Sequence, residues 1–217
     1  MFRRNRPVGW VLLALCGFAS VAPSVTAIPA VRRELCRRNA ATVRVSVPPG
    51  ALAASRFISS WYRVPPARAR QIAEVAFRVS KEHRLDPYLV LAVIAVESSF
   101  RPDVVNRYGG AYGLMQIAVR VHRRRVEAAG GRRRLFLITP NIRIGVELLA
   151  QYGARIQSRL RHALWRYSGG EYGYAHRVLR LRKVLQRSVN DQCAGARIPP
   201  PHTWGRKVWT RCPTEAL

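Results

Sequence analysis

Acidic side chains are scarce in this chain: 11 Asp and Glu stand against 38 Lys and Arg, for a formal charge of +27. Lysine is scarcer still, at three residues, so almost all of the positive charge is arginine. The five histidines form no ligand pair and the four cysteines do not have zinc-site spacing, which leaves neither a metal site nor a cofactor motif. The apolar stretch at residues 8–22, about fifteen long, falls short of the ~20 residues that cross a bilayer comfortably. No internal repeat stands out, no nucleic-acid motif occurs, and residues 65–190 hold no strand pattern.

Where acids are few, one in an apolar setting is conspicuous. Glu97 ends the run Leu85-Asp86-Pro87-Tyr88-Leu89-Val90-Leu91-Ala92-Val93-Ile94-Ala95-Val96-Glu97. Asp86 suits an N-cap and Pro87 the first turn, so the run reads as a helix from Pro87. Being apolar on every face, it is a central, buried helix. Glu97 then lies in the last turn, where apolar surroundings and the negative end of the helix dipole disfavour ionisation. Such an acid stays protonated near neutral pH, as a general acid must. The competing reading is a buried acid satisfied by one of the many arginines.

The following sequence favours the first reading. Glu97-Ser98-Ser99-Phe100 is followed by Asn106-Arg107-Tyr108-Gly109-Gly110-Ala111-Tyr112-Gly113-Leu114-Met115-Gln116-Ile117. Then come Thr139-Pro140-Asn141-Ile142-Arg143-Ile144-Gly145 and Ala163-Leu164-Trp165-Arg166-Tyr167-Ser168-Gly169-Gly170. These four motifs, in this order, resemble those of the soluble lytic transglycosylases, lysozyme-like enzymes that cut the glycan strands of peptidoglycan. The resemblance covers about residues 65–190, a plausible single domain. The chain departs from the family at two points, with Ser168 where the family usually has Asn, and Asn106 where many members have Ser.

The resemblance implies a mainly α, lysozyme-like domain with a substrate cleft between helices, and Glu97 as catalytic residue. Most glycosidases need two carboxylates. Between Glu97 and Glu127 the only other acid is Asp103, read here as a loop or cap residue. A single carboxylate favours substrate assistance: by analogy with the family, Glu97 protonates the β-1,4 oxygen between N-acetylmuramic acid and N-acetylglucosamine. It then takes the C6 hydroxyl proton as that oxygen attacks C1, leaving a 1,6-anhydromuramyl end. The resemblance further implies substrate contacts at Ser98, Asn106, Gly113, Met115, Gln116, Asn141, Tyr167 and Ser168. Gly109, Gly110 and Gly113 allow a tight turn and close approach of a sugar, while Gln116 offers a donor and an acceptor to an acetamido group. Tyr167 is expected to bring its hydroxyl to the catalytic carboxyl. Met115 equally suits a cleft wall, and Ser98 and Asn141 equally suit local backbone bonding.

The N-terminus reads as a secretory signal over residues 1–27: basic Arg3, Arg4 and Arg6, an apolar stretch, then small residues at Val25-Thr26-Ala27. This implies a periplasmic protein, with a membrane-anchored form facing the periplasm as the alternative. Lipidation at Cys16 is disfavoured by Leu15, where a small residue is wanted. Removal of the signal leaves Cys36, Cys193 and Cys212, enough for one disulfide whose pairing stays open. Residues 28–64 read as a basic, partly irregular segment and 191–217 as a Pro- and Cys-containing tail. Helices are expected over 67–83, from Pro87, from near Gly113, from Thr139, over 158–167 and over 174–189, with a break at Gly130-Gly131.

So basic a chain attracts anionic strands and surfaces. The partners implied are peptidoglycan glycan strands, a membrane surface, and envelope-spanning secretion or pilus machinery. No specific nucleic acid is implied, although charge alone gives salt-sensitive binding. The alternatives are a hydrolytic lysozyme related to the goose type and a non-catalytic basic protein that binds wall or nucleic acid.

Overall fold

The computed structural model describes residues 47–193. Within them the fold is mainly α, with seven α-helices and a small antiparallel sheet. The elements are α1 (Pro49–Tyr62), α2 (Pro66–Glu82), α3 (Pro87–Ser98), β1 (Val105–Asn106), β2 (Ala111–Tyr112), β3 (Ile117–Ala118), α4 (Arg123–Ala128), α5 (Ile138–Gln151), α6 (Leu160–Tyr167) and α7 (Tyr174–Cys193). Short 3₁₀ turns at Arg132–Phe136 and Gln157–Arg159 precede α5 and α6.

Helix α3 is the axis of the fold. Asp86 caps it as expected, its carboxylate accepting from the Tyr88 N–H at 2.9 Å, with Pro87 in the first turn. Leu89 through Ala95 are all buried. A helix apolar all round can be stable only with neighbours on every side; α3 packs on both α2 and α7. An ion pair from Arg182 of α7 to Asp86 ties the helices together at the start of α3.

The end of α3 is abrupt. Ser99 (φ 49°) and Phe100 (φ 62°) are both left-handed, and the Ser99 N–H closes the helix on the Ala95 carbonyl at 3.1 Å. Left-handed backbone costs about 1–3 kcal/mol at a non-glycine residue. Burial of Phe100, edge-on to Tyr62 with ring centroids 4.6 Å apart, offsets that cost. The turn leaves Glu97 at the helix end, facing a cleft rather than the core.

Three sequence expectations are corrected. Residues 49–62, read as part of an irregular segment, form α1, whose Ala51, Ala54, Phe57, Ile58 and Trp61 are buried against the core. The Pro48-Pro49-Gly50 sequence that suggested irregularity starts the helix, with proline in its first turn. No helix starts near Gly113: Gly113 (φ 77°) and Gln116 (φ 45°) have backbone no helix can use. Nor is the domain free of strands, because β1, β2 and β3 pair in that order, with Val105 opposite Tyr112 and Ala111 opposite Ala118.

The signal at 1–27, Cys16, Cys36 and Cys212, the start of the basic segment and most of the tail lie outside the described residues, and so does the cysteine pairing. Among the described residues no helix is long and apolar enough to cross a membrane, and no cluster of His, Cys, Asp or Glu could hold a metal ion.

Candidate active site

Four elements converge on one cleft of about 900 Å³: the end of α3, the β1–β3 loops, the end of α6 and the start of α7. Glu97 lines it together with Asn106, Gln116, Tyr167, Ser168 and Tyr174. Glu97 and Tyr174 are joined directly, the tyrosine hydroxyl donating to Glu97 Oε1 at 2.6 Å.

Burial is the main force on the Glu97 carboxyl, and it raises the pKa from 4.5 to about 7. The Tyr174 hydrogen bond opposes the rise, the negative charge of Glu171 adds to it, and Arg177 opposes it. The carboxyl is thus poised near neutrality, protonated often enough to give a proton and acidic enough to lose it. Tyr174 and Tyr167 are both pushed well above the ordinary tyrosine range, by burial first and then by the charge of Glu97. They hold their protons and act as hydrogen-bond donors.

The loop facing Glu97 is fixed by side chains from three helices. Asn141 of α5 is fully buried and has all its bonds on the loop and its neighbour. Its Oδ1 accepts from the Met115 N–H at 2.7 Å, and its Nδ2 donates to the carbonyls of Tyr112 at 2.9 Å and Leu135 at 2.8 Å. Ser98 of α3 donates to the Leu114 carbonyl at 2.8 Å, and Tyr167 of α6 donates to the Met115 carbonyl at 2.8 Å. Gln116 Nε2 closes the loop on the carbonyls of Gly113 at 2.9 Å and Val104 at 3.1 Å. Packing requires glycine twice. A Cβ on Gly113 would stand 2.1 Å from the Leu135 oxygen, and one on Gly145 would stand 2.3 Å from Met115 Sδ.

A family model described as the transglycosylase SLT domain matches residues 74–183. The chain belongs to that family. Three curated proteins called membrane-bound lytic murein transglycosylase C, from Actinobacillus pleuropneumoniae serotype 5b (strain L20), serotype 3 (strain JL03) and serotype 7 (strain AP76), are each 38% identical to it over 64 residues. The matched stretch is 30% of this chain and 17% of each relative.

Within this SLT domain the residues singled out from sequence divide into two sets. Glu97, Ser98, Asn106, Gln116, Tyr167 and Ser168 line the cleft, while Gly113, Met115 and Asn141 do not. Met115 and Asn141 are fully buried, so their contribution is to the shape of the loop. Asn106 accepts from the Gly109 N–H at 3.0 Å, and Ser168 accepts from the Glu171 N–H at 3.0 Å, so each also holds a turn. Tyr167 is close enough for the charge of Glu97 to raise its pKa, but its hydroxyl donates to the Met115 carbonyl, and the direct hydrogen bond to Glu97 comes from Tyr174.

Two residues of the cleft beside Glu97 do not stand out in the sequence. Tyr174 carried a signal, since it begins the buried face of α7 that continues through Val178, Leu185 and Val189. Glu171 lines the cleft and is paired with Arg177. Asp103, the acid nearest Glu97 in sequence among the candidates for a second carboxylate, is exposed and lies outside the cleft lining.

Proposed function

We propose that this SLT domain is a peptidoglycan lytic transglycosylase with Glu97 as its acid and base. The observation that supports the reading most is the Glu97 carboxyl, raised to about 7 by burial at a cleft and held by Tyr174. The protonated carboxyl gives its proton to the glycosidic oxygen as the bond from C1 breaks, and the 2-acetamido oxygen of the muramyl residue stabilises the positive C1. The Glu97 carboxylate then removes the proton from the C6 hydroxyl as O6 bonds to C1. The proton returns to Glu97 and no water is consumed. Tyr174, which keeps its own proton, steadies the carboxylate between the two steps.

The relatives are named as membrane-bound lytic murein transglycosylases, which supports action on the envelope, with export by the segment at residues 1–27. The positive charge of +27 supports attraction to anionic wall strands and membrane surfaces. Docking on secretion or pilus machinery rests on the sequence reading alone.

A hydrolytic reading has one specific support, namely that Glu171 lines the same cleft and could activate water. Digestion of purified peptidoglycan in ¹⁸O-labelled water separates the two. Transglycosylation leaves the new muramyl ends unlabelled, and hydrolysis puts one ¹⁸O on each.

A further inference from the structure

The cleft carries more cationic charge than its proton chemistry uses. Arg101, Arg107 and Arg166 line it alongside Glu97 and Glu171, the only two carboxylates in its wall among the described residues. Glu171 is engaged by Arg177, and Glu97 receives the Tyr174 hydroxyl. The charges that act on Glu97 are those of Glu171 and Arg177, and the three cleft arginines are not among them. None of the three forms an ion pair among the described residues.

With 38 basic and 11 acidic residues in the chain, basic groups outnumber acids more than three to one, so the missing ion pair decides nothing. Position and restraint decide. The Arg166 guanidinium lies over the Tyr152 ring, 4.8 Å from its centroid, and both residues face the cleft. That stacking orients the group while leaving its charge and its N–H fork free for an incoming anion. Arg101 is tethered at Nε to the Ser98 carbonyl at 3.4 Å, next to the catalytic residue, and its terminal nitrogens make no bond among the described residues.

We propose that Arg101, Arg107 and Arg166 form a carboxylate-binding subsite of the cleft, selecting glycan strands that carry free carboxyl groups on their muramyl residues. This rests on the peptidoglycan reading of the same cleft. Two carboxylates share the chemistry: the lactyl group of peptide-free strands and the carboxyl groups of the stem peptide. A planar guanidinium receives either in a bidentate fork.

The test measures binding of soluble glycan oligomers to the full chain bearing Glu97→Gln, which removes turnover. Five ligands of equal length are compared: peptide-bearing strands, peptide-free strands, each of these two with carboxyl groups converted to amides, and a neutral N-acetylglucosamine oligomer. Amidation is expected to weaken binding about ten-fold, the loss that follows from one charge-assisted hydrogen bond. Loss confined to the peptide-bearing set identifies the stem carboxylates, and loss in the peptide-free set identifies the lactyl group. Added Arg166→Gln should weaken carboxylated ligands to the level of their amides and leave the amides unchanged. Arg101→Gln, which does not touch the Tyr152 stack, should do the same. Arg124→Gln, on exposed α4 and outside the cleft lining, should change nothing. Equal binding of carboxylated and amidated strands overturns the subsite alone, as does an Arg124→Gln loss equal to that of Arg166→Gln. Failure of every oligomer to bind, the neutral one included, overturns the peptidoglycan reading beneath it.

Discussion

The Tyr174 hydroxyl donates to Glu97 Oε1 at 2.6 Å across 77 residues of chain, linking the last turn of α3 to the first residue of α7. Burial pushes the Glu97 proton on, and this bond pulls it off. The acid therefore sits between the ordinary carboxylate range and the fully protonated state of an isolated buried carboxyl.

The balance has a kinetic consequence. Because proton donation needs the protonated form, muropeptide release by the wild type should fall as pH rises past about 7. Tyr174→Phe removes a hydrogen bond that favours the charged form, so the alkaline limb should move to higher pH. The maximal rate should fall by roughly ten-fold as the carboxyl loses its orientation. A pH–rate profile of both proteins checks direction and size together.

The same shift appears in stability. Glu97 has a folded pKa above its ordinary 4.5, so the folded state binds this proton more tightly than the unfolded state does. The resulting stabilisation is complete below pH 4.5 and is lost as pH rises through about 7. It amounts to roughly 3 kcal/mol at most, from the size of the shift. Denaturant unfolding at pH 4.5 and pH 8 should therefore show a larger loss for the wild type than for Glu97→Gln, whose neutral amide does not titrate. At pH 8 the variant should be the more stable protein.

The loop opposite Glu97 should be intolerant of change. Asn141→Ala strips partners from the Tyr112 and Leu135 carbonyls and the Met115 N–H, and should cost about 2–4 kcal/mol. Gly113→Ala brings a methyl group against the Leu135 oxygen and Asn141 Nδ2 at a backbone φ of 77°, and should cost at least as much. Thermal unfolding measures both, and glycan cleavage should drop with the ordered loop.

Sequence legibility followed the physics of each element. The α3 helix was readable because cap, proline and unbroken apolar run all point the same way. Helix α1 was not, because a Pro-Pro-Gly start resembles a turn as much as a helix entry. Two-residue strands carry too little alternation to be seen, and they exist because Asn141 and Ser98 hold the loop from other helices. The setting of Glu97 made it conspicuous, and only the motifs that follow it favoured a general acid over a buried acid paired with arginine. The motifs gave the residue types at Ser98, Met115, Gln116, Asn141 and Tyr167 but not the directions of their bonds, which depend on packing between α3, α5 and α6. Tyr172 and Tyr174 differ in sequence by little, yet the first is 98% exposed and the second 2%.

In the proposed reaction one carboxyl, that of Glu97, acts without water. Mass spectrometry of the muropeptides released from purified peptidoglycan by the wild type and by Glu97→Gln tests it most directly. Anhydromuramyl ends from the wild type, and no products from a folded Glu97→Gln, are the predicted result. Undiminished anhydromuramyl release by the variant, or reducing ends from the wild type, would contradict it, and the second outcome would direct attention to Glu171.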